Sequence, residues 1–489
     1  MKPPVRLVIA LVGVALWSSG AVFASSAPAQ TTQNAILVNP GDAAQVDAAK
    51  GRGATAIKLI VSWYHTSPGA QSCTAPSGIN LSDPASYNWN YNNYDAIITR
   101  AVADGLPVYL TIGGGFPCYA SADPQSCSPQ PPASCTLNPN LYAYAAFVSA
   151  LAHKYPFANR WSPYNEPDAN DTLTVGTGTQ SKNGARQAAL IYRQMWTLAL
   201  PIIRNAGSAA PLWFGETTRH GAETYVGDSA GFIETALCLG NFVSQDSRYA
   251  SCGSSPQQID AEALSFHPYE TNPADGVSVI NDFDYVKYVA TSLGRLRSGA
   301  YIASSEFGIH NGTCWPSEAD CQKIVDQGLY DPTNARTETV GAAYVNCTEE
   351  GLYNNSSNVS TSQYLMNDGP SPSAGSNGQW YTGLRHGDGS PKQSFNAWQM
   401  PISVWRQAAD GRLHVWGAVR PQPVLNGNVK VVAVNGTYTA YLSVNSRGYF
   451  NGVLSGAPSG YKWQSLSGST LRSRVAGGSD CGAGWQGGS

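Results

Sequence analysis

The most informative stretch of this sequence is Trp161-Ser162-Pro163-Tyr164-Asn165-Glu166-Pro167-Asp168. We interpret its first residues as a short strand that ends in an amide and a carboxylate. Proline disfavours the helical region for the residue before it, so Glu166 should be extended, and a carboxyl group at a strand end is well placed for proton transfer. A Glu before a Pro also occurs in solvated strand-to-loop transitions, and the tripeptide alone does not separate the two interpretations.

Short apolar runs alternate with amphipathic stretches on both sides of this strand. This alternation is typical of β/α units and a parallel sheet. The predicted strands are Ala35–Val38, Ala56–Trp63, Pro107–Ile112, Arg160–Tyr164, Pro211–Glu216, Ala263–His267, Tyr301–Glu306 and Val359–Met366. The predicted helices are Ala43–Arg52, Tyr94–Asp104, Leu141–Tyr155, Ala185–Asn205, Ala230–Leu239, Tyr285–Leu296, Arg336–Thr348 and Phe395–Met400. Because proline removes a helical hydrogen bond, the fourth helix should kink or break near Pro201.

The eight strand–helix units occupy about 365 residues, within the size range of a (β/α)8 barrel with insertions. The sequence therefore predicts an α/β fold, a (β/α)8 TIM barrel over residues 30–401. The alternative is a doubly wound open sheet, which should carry a glycine-rich phosphate-binding turn. Gly113-Gly114-Gly115 is the one candidate for such a turn, and it lacks the G-x-G-x-x-G spacing.

The sequence pattern changes after Pro401. Short alternating runs separated by Gly, Asn and Pro predict a small all-β domain over residues 402–476, followed by a glycine-rich tail at 477–489. The segment resembles the Ig-like sandwiches appended to many secreted bacterial enzymes, which often have a glycine and an aromatic edge where Arg447-Gly448-Tyr449-Phe450 stands. Such a module either binds sugar or serves as a packing and spacer unit. Its predicted strands are Leu413–Val419, Val429–Val434, Tyr438–Val444 and Tyr449-Phe450.

The N-terminus has the order of a secretory signal peptide. Lys2 and Arg6 precede the apolar run Leu7–Trp17, and small residues follow as far as Ala29. The apolar run is too short to span a bilayer. We therefore expect residues 1–29 to be removed and the mature protein to be secreted, extracellular or at the cell surface, with no membrane segment.

Export makes the ten cysteines informative, because an even number in an oxidising compartment favours disulfides. Proximity in sequence predicts the pairs Cys127–Cys135, Cys238–Cys252 and Cys314–Cys321. The partners of Cys73, Cys118, Cys347 and Cys481 stay open. No Cys-x-x-Cys and no clustered His accompanies these cysteines, which argues against a zinc site.

The composition excludes some partners. A formal net charge of −3 with 12% charged residues provides no basic stripe for nucleic acid. The 26 Tyr and 13 Trp suit a surface that meets neutral polar ligands such as sugars by stacking and hydrogen bonding. The composition therefore favours a carbohydrate partner.

Three glutamates fall at predicted strand ends, and Glu166 and Glu306 form the candidate catalytic pair. In a barrel, active residues lie at the carboxyl ends of the strands, where Glu166 ends strand four and Glu306 ends strand seven. Such a pair suits glycosidic bond cleavage, in which one carboxyl group protonates the leaving oxygen and the other attacks the anomeric carbon.

These residues are similar to the motifs of a large enzyme clan. Asn165-Glu166-Pro167 on strand four, Glu306 on strand seven and His267-Pro268-Tyr269 after strand six resemble the retaining (β/α)8 glycoside hydrolases. That clan includes the family 5 cellulases and mannanases and the family 39 xylosidases, and the resemblance covers about residues 36–400. It implies Glu166 as acid/base, Glu306 as nucleophile and Asn165 as donor to the sugar 2-hydroxyl. It also implies that the Tyr269 hydroxyl orients Glu306 and that His267 lines the sugar site.

The chain departs from the clan at two places. Where many members have an arginine on an early strand, this chain offers Lys58, and we assign the arginine's role to no residue. A tryptophan from strand eight usually lies under the sugar, and the nearest candidate here is Trp380.

Other side chains near strand ends are candidates with more than one role. Trp63 and Trp315 either stack on sugars or pack in the core. Glu216 is a rival nucleophile, a partner of a sugar hydroxyl, or part of an internal salt bridge. Asp168 and Glu270 adjoin the motifs and should be supporting or rim groups.

The sequence thus predicts a secreted retaining glycosidase that cleaves O-glycosidic bonds of a neutral glycan, without metal or cofactor. A metal-dependent hydrolase would need several His and Asp at strand ends, whereas the seven His are scattered. A serine hydrolase would need G-x-S-x-G. The alternative is a catalytically inactive carbohydrate-binding or cell-wall interaction protein on the same barrel, although a binder has no need of paired carboxylates.

Overall fold

The chain folds as a mixed α/β protein in which parallel strands alternate with helices. The predicted signal peptide at 1–29 lies outside the described residues. The computed structural model describes residues 35–124, 127, 135–136, 138–169, 173, 182–218, 229–240, 242, 252, 256–269, 273–309, 338–369, 381–421, 427–434, 436, 438–457, 461–468 and 471–481.

The predicted parallel strands are present, several with shifted ends. Within the described ranges, β1 to β8 are Ala35–Val38, Ala56–Ser62, Val108–Gly113, Arg160–Ser162, Trp213–Thr217, Ala263–Phe266, Tyr301–Ser304 and Ser360–Gln363. They form one parallel sheet of order β4-β3-β2-β1-β8 and another of order β5-β6-β7. Isolated parallel bridges link the sheet edges, from Trp161 to Leu212 and from Ile302 to Asn358. Neighbouring strands therefore follow chain order, and β8 pairs with β1.

Side chains along these strands form layers, because every second residue of a strand points to the same face. The first layer is an apolar cluster of Ala56, Tyr109, Trp213, Ala263, Ala303 and Val359. Two positions further along the chain, five of these residues are followed by buried polar ones, namely Lys58, Thr111, Ser265, Ser305 and Thr361. The buried face therefore changes from apolar to polar toward the carboxyl ends of the strands.

Helices cover the connections between strands. In the part of the chain that the structure describes, α1 to α9 are Ala43–Gly51, Trp63–Thr66, Tyr94–Ala103, Leu141–Lys154, Lys182–Asn205, Ser229–Ala236, Pro273–Ser292, Glu338–Asn354 and Gln393–Gln399. The Asp42 and Asn140 side chains accept hydrogen bonds from first-turn N–H groups and so define the starts of α1 and α4. None of these described helices is both long and apolar enough to cross a membrane.

Two local predictions were wrong, and the helix break considered at Pro201 is absent. Trp63 begins α2 rather than ending β2, because the Ser62 side chain accepts a hydrogen bond from His65 N and caps a helical turn there. α5 continues through Pro201 to Asn205, with the apolar Ala199 and Ile203 buried on both sides of the proline. α7 begins at Pro273, twelve positions before its predicted start.

Antiparallel strands make up the C-terminal part. β9 to β15 are Ile402–Arg406, Leu413–Ala418, Asn428–Ala433, Thr439–Ser443, Tyr449–Val453, Trp463–Ser467 and Leu471–Arg472. They form sheets of order β13-β10-β9 and β12-β11-β14-β15. A single buried cluster includes Val404 and Val415 of the first sheet with Val431 and Trp463 of the second. The sequence missed β9, which begins directly after the predicted domain boundary, and β14 and β15.

The C-terminal strands are tied to α8. The Arg420 guanidinium forms a buried ion pair with Glu349 of α8, and Arg474 Nε donates to Asn346 Oδ1 of α8 over 3.1 Å. All described residues belong to one compact unit, Gln33–Ser489. Buried polar contacts therefore cross the predicted boundary at residue 401.

Four disulfides join described cysteines. Cys127–Cys135 and Cys238–Cys252 pair as predicted, and the open partners combine as Cys73–Cys118 and Cys347–Cys481. The predicted pair Cys314–Cys321 lies outside the described residues. The bond from Cys347 of α8 to Cys481 spans a sequence separation of 134.

Replacement of Glu349 by Ala should lower the free energy of unfolding by about 3–5 kcal/mol, because it leaves the buried Arg420 guanidinium without its counter-charge. Urea denaturation followed by tryptophan fluorescence measures the change. The control is Asp410→Ala, which removes a surface ion pair with Arg412 and should leave the midpoint nearly unchanged. Equal losses of unfolding free energy in both variants would show that the buried ion pair contributes no more to stability than the surface pair.

Candidate active site

Glu166 lies just beyond the end of β4, and its backbone is held from two sides. Asn165 N donates to the Ile112 carbonyl oxygen of β3 and Glu166 N to the Glu216 carbonyl oxygen of β5, each over 2.7 Å. The φ of Glu166 is 48°, so the prediction of an extended residue is wrong. A non-glycine residue in this left-handed region costs on the order of 1–3 kcal/mol. The two hydrogen bonds hold the conformation despite that cost.

Glu216 lies in β5 at a bulge. The φ of Gly215 is 130° and that of Glu216 is 54°, and the register with β6 shifts between Gly215 and Thr217. A Cβ at Gly215 would overlap the Ser265 carbonyl oxygen, so only glycine fits there. Glu216 N donates to Ser265 Oγ over 2.9 Å, and the Glu216 side chain is fully buried.

Glu306 lies two residues beyond β7 and accepts a hydrogen bond on each oxygen. Lys58 Nζ donates to Glu306 Oε1 over 2.8 Å, and the Tyr269 hydroxyl donates to Oε2 over 2.9 Å. Burial and then the charge of Glu306 raise the pKa of Tyr269 well above its usual value, so the hydroxyl keeps its proton and remains a donor. The Glu306 carboxylate is therefore fixed in orientation, with 3% of its side chain exposed.

His267 follows β6 directly and joins two of the glutamates. Its Nδ1 lies 2.9 Å from Glu166 Oε1 and 3.7 Å from Glu306 Oε2, and its Nε2 lies 3.2 Å from Glu216 Oε2. Burial alone would lower the pKa of His267. The charge of Glu306 and the hydrogen bonds to Glu166 and Glu216 outweigh burial and the charge of Lys58, and raise the pKa to about 9.

Lys58 of β2 lies at the base of this group. Its Nζ is 2.5 Å from Glu216 Oε2 and 3.4 Å from His267 Nε2, and its side chain is fully buried. Burial alone would lower the pKa of Lys58, but the charges of Glu216 and Glu306 raise it above its usual value. The Tyr109 hydroxyl also donates to Glu216. Burial would raise the pKa of Glu216, yet Lys58 and His267 together hold it far below its usual value.

These five residues form one buried charge cluster: Lys58, Glu166, Glu216, His267 and Glu306. One ligand atom each from Glu166, His267 and Glu306 lies within 4.8 Å of the other two, a spacing that also suits a metal ion. The Lys58 ammonium, bonded to Glu306 and next to His267, already supplies a positive charge there. We therefore assign the cluster no metal.

The structure brings some of the predicted site residues together and buries others. Glu166, Glu306 and Tyr269 lie together, with Asn165 beside them and its Oδ1 without a hydrogen-bond partner among the described residues. His267 and Glu216 are fully buried and contact the other members of the cluster, and the role of His267 in lining the sugar site stays a prediction. Of the three roles considered for Glu216, the internal salt bridge is the one present.

Trp63 lies outside the cluster. It is 1% exposed and packs against Phe116 and Phe147, with ring centroids 5.2 and 5.6 Å away. The aromatic residues of α4 and the preceding loop cover it, so it belongs to the core and does not line the site. Trp315, Trp380 and Glu270 lie outside the described residues.

Tyr364, the first residue after β8, was not among the predicted site residues. Its ring lies edge-on to that of Tyr269, with centroids 6.1 Å apart. Burial, then the charges of Glu306 and Glu166, raise the pKa of Tyr364 far above its usual value, which indicates how near it lies to both carboxylates. The predicted strand eight extends to Met366, so Tyr364 lay inside it and not at its end.

Asp168 supports the loop that carries Glu166. Its carboxylate accepts hydrogen bonds from Thr218 N over 2.9 Å, Thr218 Oγ1 over 2.7 Å and Ser229 Oγ over 3.0 Å. Burial raises the pKa of Asp168 to about 6, although the hydrogen bonds from Thr218 act in the opposite direction. Asp168 thus ties the segment after β4 to the segment after β5 and to α6.

Wild-type stability should fall as the pH rises from about 6.5 to about 9, because His267 is protonated more strongly in the folded chain than in the unfolded one. The loss should approach ~1.4 kcal/mol per pH unit within this window. Urea denaturation at several pH values measures it. His267→Gln should flatten the dependence, whereas His153→Gln, at an exposed position of α4, should retain it; a steep slope that survives His267→Gln would contradict the assignment.

No protein-family model matches this chain, and no curated protein matches it. Among solved structures it is similar to a family 39 glycoside hydrolase from the gut symbiont Bacteroides cellulosilyticus WH2, at 15% identity over 87% of this chain and 80% of that one, with a TM-score of 0.45. The GH53 catalytic domain of Ignisphaera aggregans is 12% identical over 76% of this chain and 97% of that one, with a TM-score of 0.42. The FMN-binding beta-glucuronidase from Facaelibacterium prausnitzii L2-6 is 10% identical over 91% of this chain and 55% of its own length, with a TM-score of 0.43. This chain thus spans about half the length of the glucuronidase, and likenesses at this level assign no family.

Proposed function

We propose that this protein is a secreted retaining glycosidase that hydrolyses O-glycosidic bonds of a neutral glycan by double displacement. The observation that carries the proposal is the separation of two carboxylates, since an oxygen of Glu166 and an oxygen of Glu306 lie within 4.8 Å. Retaining glycosidases hold their carboxyl groups about 5–5.5 Å apart, whereas inverting enzymes leave about 6.5–9.5 Å for a water molecule. One oxygen pair within 4.8 Å is compatible with the shorter of these two separations, and so it supports direct attack by a carboxylate.

The surroundings of the two glutamates support different roles. Glu306 is almost fully buried, and Lys58 and Tyr269 orient it, which suits a nucleophile that must be charged and immobile. Glu166 has 26% of its side chain exposed, so it has access to a leaving group and later to water. We therefore assign Glu166 as general acid/base and Glu306 as nucleophile.

The reaction proceeds in two balanced steps. In the first, an oxygen of Glu306 bonds to the anomeric carbon, the bond from that carbon to the glycosidic oxygen breaks, and the proton of Glu166 goes to the leaving oxygen. In the second, a water oxygen attacks the same carbon, Glu166 takes a proton from that water, and the ester to Glu306 is released as carboxylate. Each step inverts the anomeric centre, so the product retains the configuration of the substrate.

Several further residues are assigned to substrate binding within this proposal. Asn165 is the donor to the sugar 2-hydroxyl, and its buried position beside Glu166 supports that role. Tyr364 is the aromatic residue after β8 that we place beside the sugar, in addition to Trp380. Trp315 and Trp380 stay predictions from the sequence.

The barrel fold, the C-terminal sandwich and the secretion of the protein are also part of this proposal. We infer that the eight parallel strands close into a (β/α)8 barrel, which the bridges between the two sheets support, and that the C-terminal sheets form a β-sandwich around their common buried cluster. The four described disulfides suit an oxidising compartment and so support secretion after removal of residues 1–29.

A screen with aryl glycosides and plant or microbial polysaccharides tests the proposed activity against the alternative of an inactive carbohydrate-binding protein. The anomeric configuration of the first product, read by NMR before mutarotation, tests the mechanism. Product with inverted configuration would overturn the double displacement, and binding without hydrolysis of any substrate would favour the alternative.

Glu306→Ala should lower kcat by roughly 10⁴- to 10⁶-fold while preserving the fold, because no nucleophile remains to form the glycosyl-enzyme. Steady-state kinetics and circular dichroism measure the two properties. The matched control is Glu262→Gln, which alters a carboxylate that pairs with Arg160 at the opposite ends of the strands and should keep its activity. Full activity of Glu306→Ala would make the nucleophile assignment wrong, and Glu216 would be tested next.

Glu166→Ala should slow substrates with poor leaving groups by roughly 10²- to 10⁴-fold more than activated aryl glycosides, which depart without a proton. The ratio of kcat/KM for the two substrate classes measures the effect. Azide, a nucleophile that needs no general base, should restore turnover of the activated substrate. An equal loss for both classes without azide rescue would contradict the acid/base role.

A further inference from the structure

Glu216 takes no part in the bond-breaking steps, yet it contacts both cations of the buried charge cluster. We propose that Glu216 is a positioning residue that keeps His267 as an imidazolium, so that a cation faces Glu166 when Glu166 has given its proton to the leaving group. The inference rests on the proposed function of Glu166 and adds a residue through which that function is controlled.

The hydrogen-bond geometry of His267 supports this state. Each ring nitrogen of His267 faces a glutamate oxygen, Glu216 Oε2 at 3.2 Å and Glu166 Oε1 at 2.9 Å. An ionised Glu216 only accepts hydrogen bonds, and Glu166 accepts at Oε1 both as a carboxylate and as an acid whose proton is on Oε2. A ring that donates on both sides carries two N–H groups and is therefore positively charged. Glu166 Oε1 then accepts from Nδ1, and Glu166 Oε2 is left to carry the proton that the leaving oxygen receives.

The other groups that face His267 agree with a charged ring. Glu306 of the segment after β7 lies 3.7 Å from Nδ1, and Lys58 of β2 lies 3.4 Å from Nε2. Tyr269 contributes a ring edge, with centroids 6.1 Å apart. Lys58 opposes the positive charge, but its ammonium is bonded to both Glu216 and Glu306, which balance it.

Counting charges shows what the imidazolium does during the reaction. Lys58 and His267 contribute two positive charges and Glu216 one negative charge, so the cluster is neutral when one of the two reacting glutamates is ionised. Before attack the ionised residue is Glu306. In the glycosyl-enzyme Glu306 is an uncharged ester and Glu166 is the carboxylate. The total charge of the cluster thus stays the same, which avoids leaving an unpaired charge on its buried members.

Loss of the Glu216 charge should therefore act on the strength of Glu166 as an acid. In Glu216→Gln, Nε2 of His267 faces an amide, and the ring loses the charged partner that stabilises its second proton. A neutral ring stabilises the Glu166 carboxylate less than an imidazolium does, so Glu166 gives up its proton less readily. The rate should therefore fall most for substrates with poor leaving groups.

The first test is NMR titration of the His267 ring in full-length wild type and Glu216→Gln, with ¹³C-labelled histidine and assignment by His267→Gln. In wild type His267 should titrate above pH 8, and in Glu216→Gln its titration should move down by at least one pH unit, a tenfold loss of proton affinity. Glu262→Gln, which removes a carboxylate far from His267, should leave the titration in place. A shift of less than one unit in Glu216→Gln overturns the inference, and so does a wild-type titration below pH 8, even if Glu216→Gln does not fold.

The second test is kinetic. Glu216→Gln should lower kcat/KM at least tenfold more for a glycoside with a poor leaving group than for an activated aryl glycoside, while an equal loss for both would mark Glu216 as structural and overturn the inference. If wild type hydrolyses none of the substrates, the proposed function fails, and the titration still decides whether Glu216 keeps His267 charged.

Discussion

The structure around the site depends on one buried ammonium group, that of Lys58. Oxygens of two glutamates, Glu216 and Glu306, lie within 3 Å of it, and the three side chains are at most 3% exposed. Each buried charge carries a desolvation cost of several kcal/mol, which is repaid only by good geometry with a partner of opposite sign. Without the ammonium group, the carboxylates of Glu216 and Glu306 could not both be ionised side by side. The buried polar layer of the strands would then lack the cation that pairs with them.

Backbone strain accompanies this concentration of charge. Glu166 and Glu216 both have positive φ, and Glu166 N donates to the Glu216 carbonyl oxygen. The two unfavourable conformations therefore lie on adjacent segments and are held by one shared hydrogen bond, while Asp168 joins the same segments a few residues further on. Backbone strain of this kind persists only where many surrounding contacts hold the conformation. Such positions are common at functional sites, where the geometry of the site is kept at a cost in stability.

Much of this arrangement can be anticipated from the sequence, and the rest cannot for definite physical reasons. Apolar periodicity located the eight parallel strands, and strand-end position singled out Glu166 and Glu306. The same two-residue period places Lys58 one step above Ala56, so a polar layer was readable along β2. The partners of Lys58 could not be predicted from the sequence, because Glu216 is 158 positions away and reaches Lys58 only through the bulge at Gly215. The role of Trp63 stayed open, because aromatic residues at a strand end look alike in sequence whether they meet a ligand or a neighbouring helix.

The Cys347–Cys481 bond changes how the C-terminal strands are to be handled experimentally. A chain truncated at residue 401 would lose Cys481, the disulfide partner of Cys347 on α8. It would also lose Arg420 and Arg474, whose guanidinium groups contact α8. It would expose a reactive thiol and the bare carboxylate of Glu349 on a helix that packs beside the strands of the site. Conversely, a protease that nicks any loop between the two cysteines leaves both fragments covalently joined, so the damage becomes visible on a gel only after reduction.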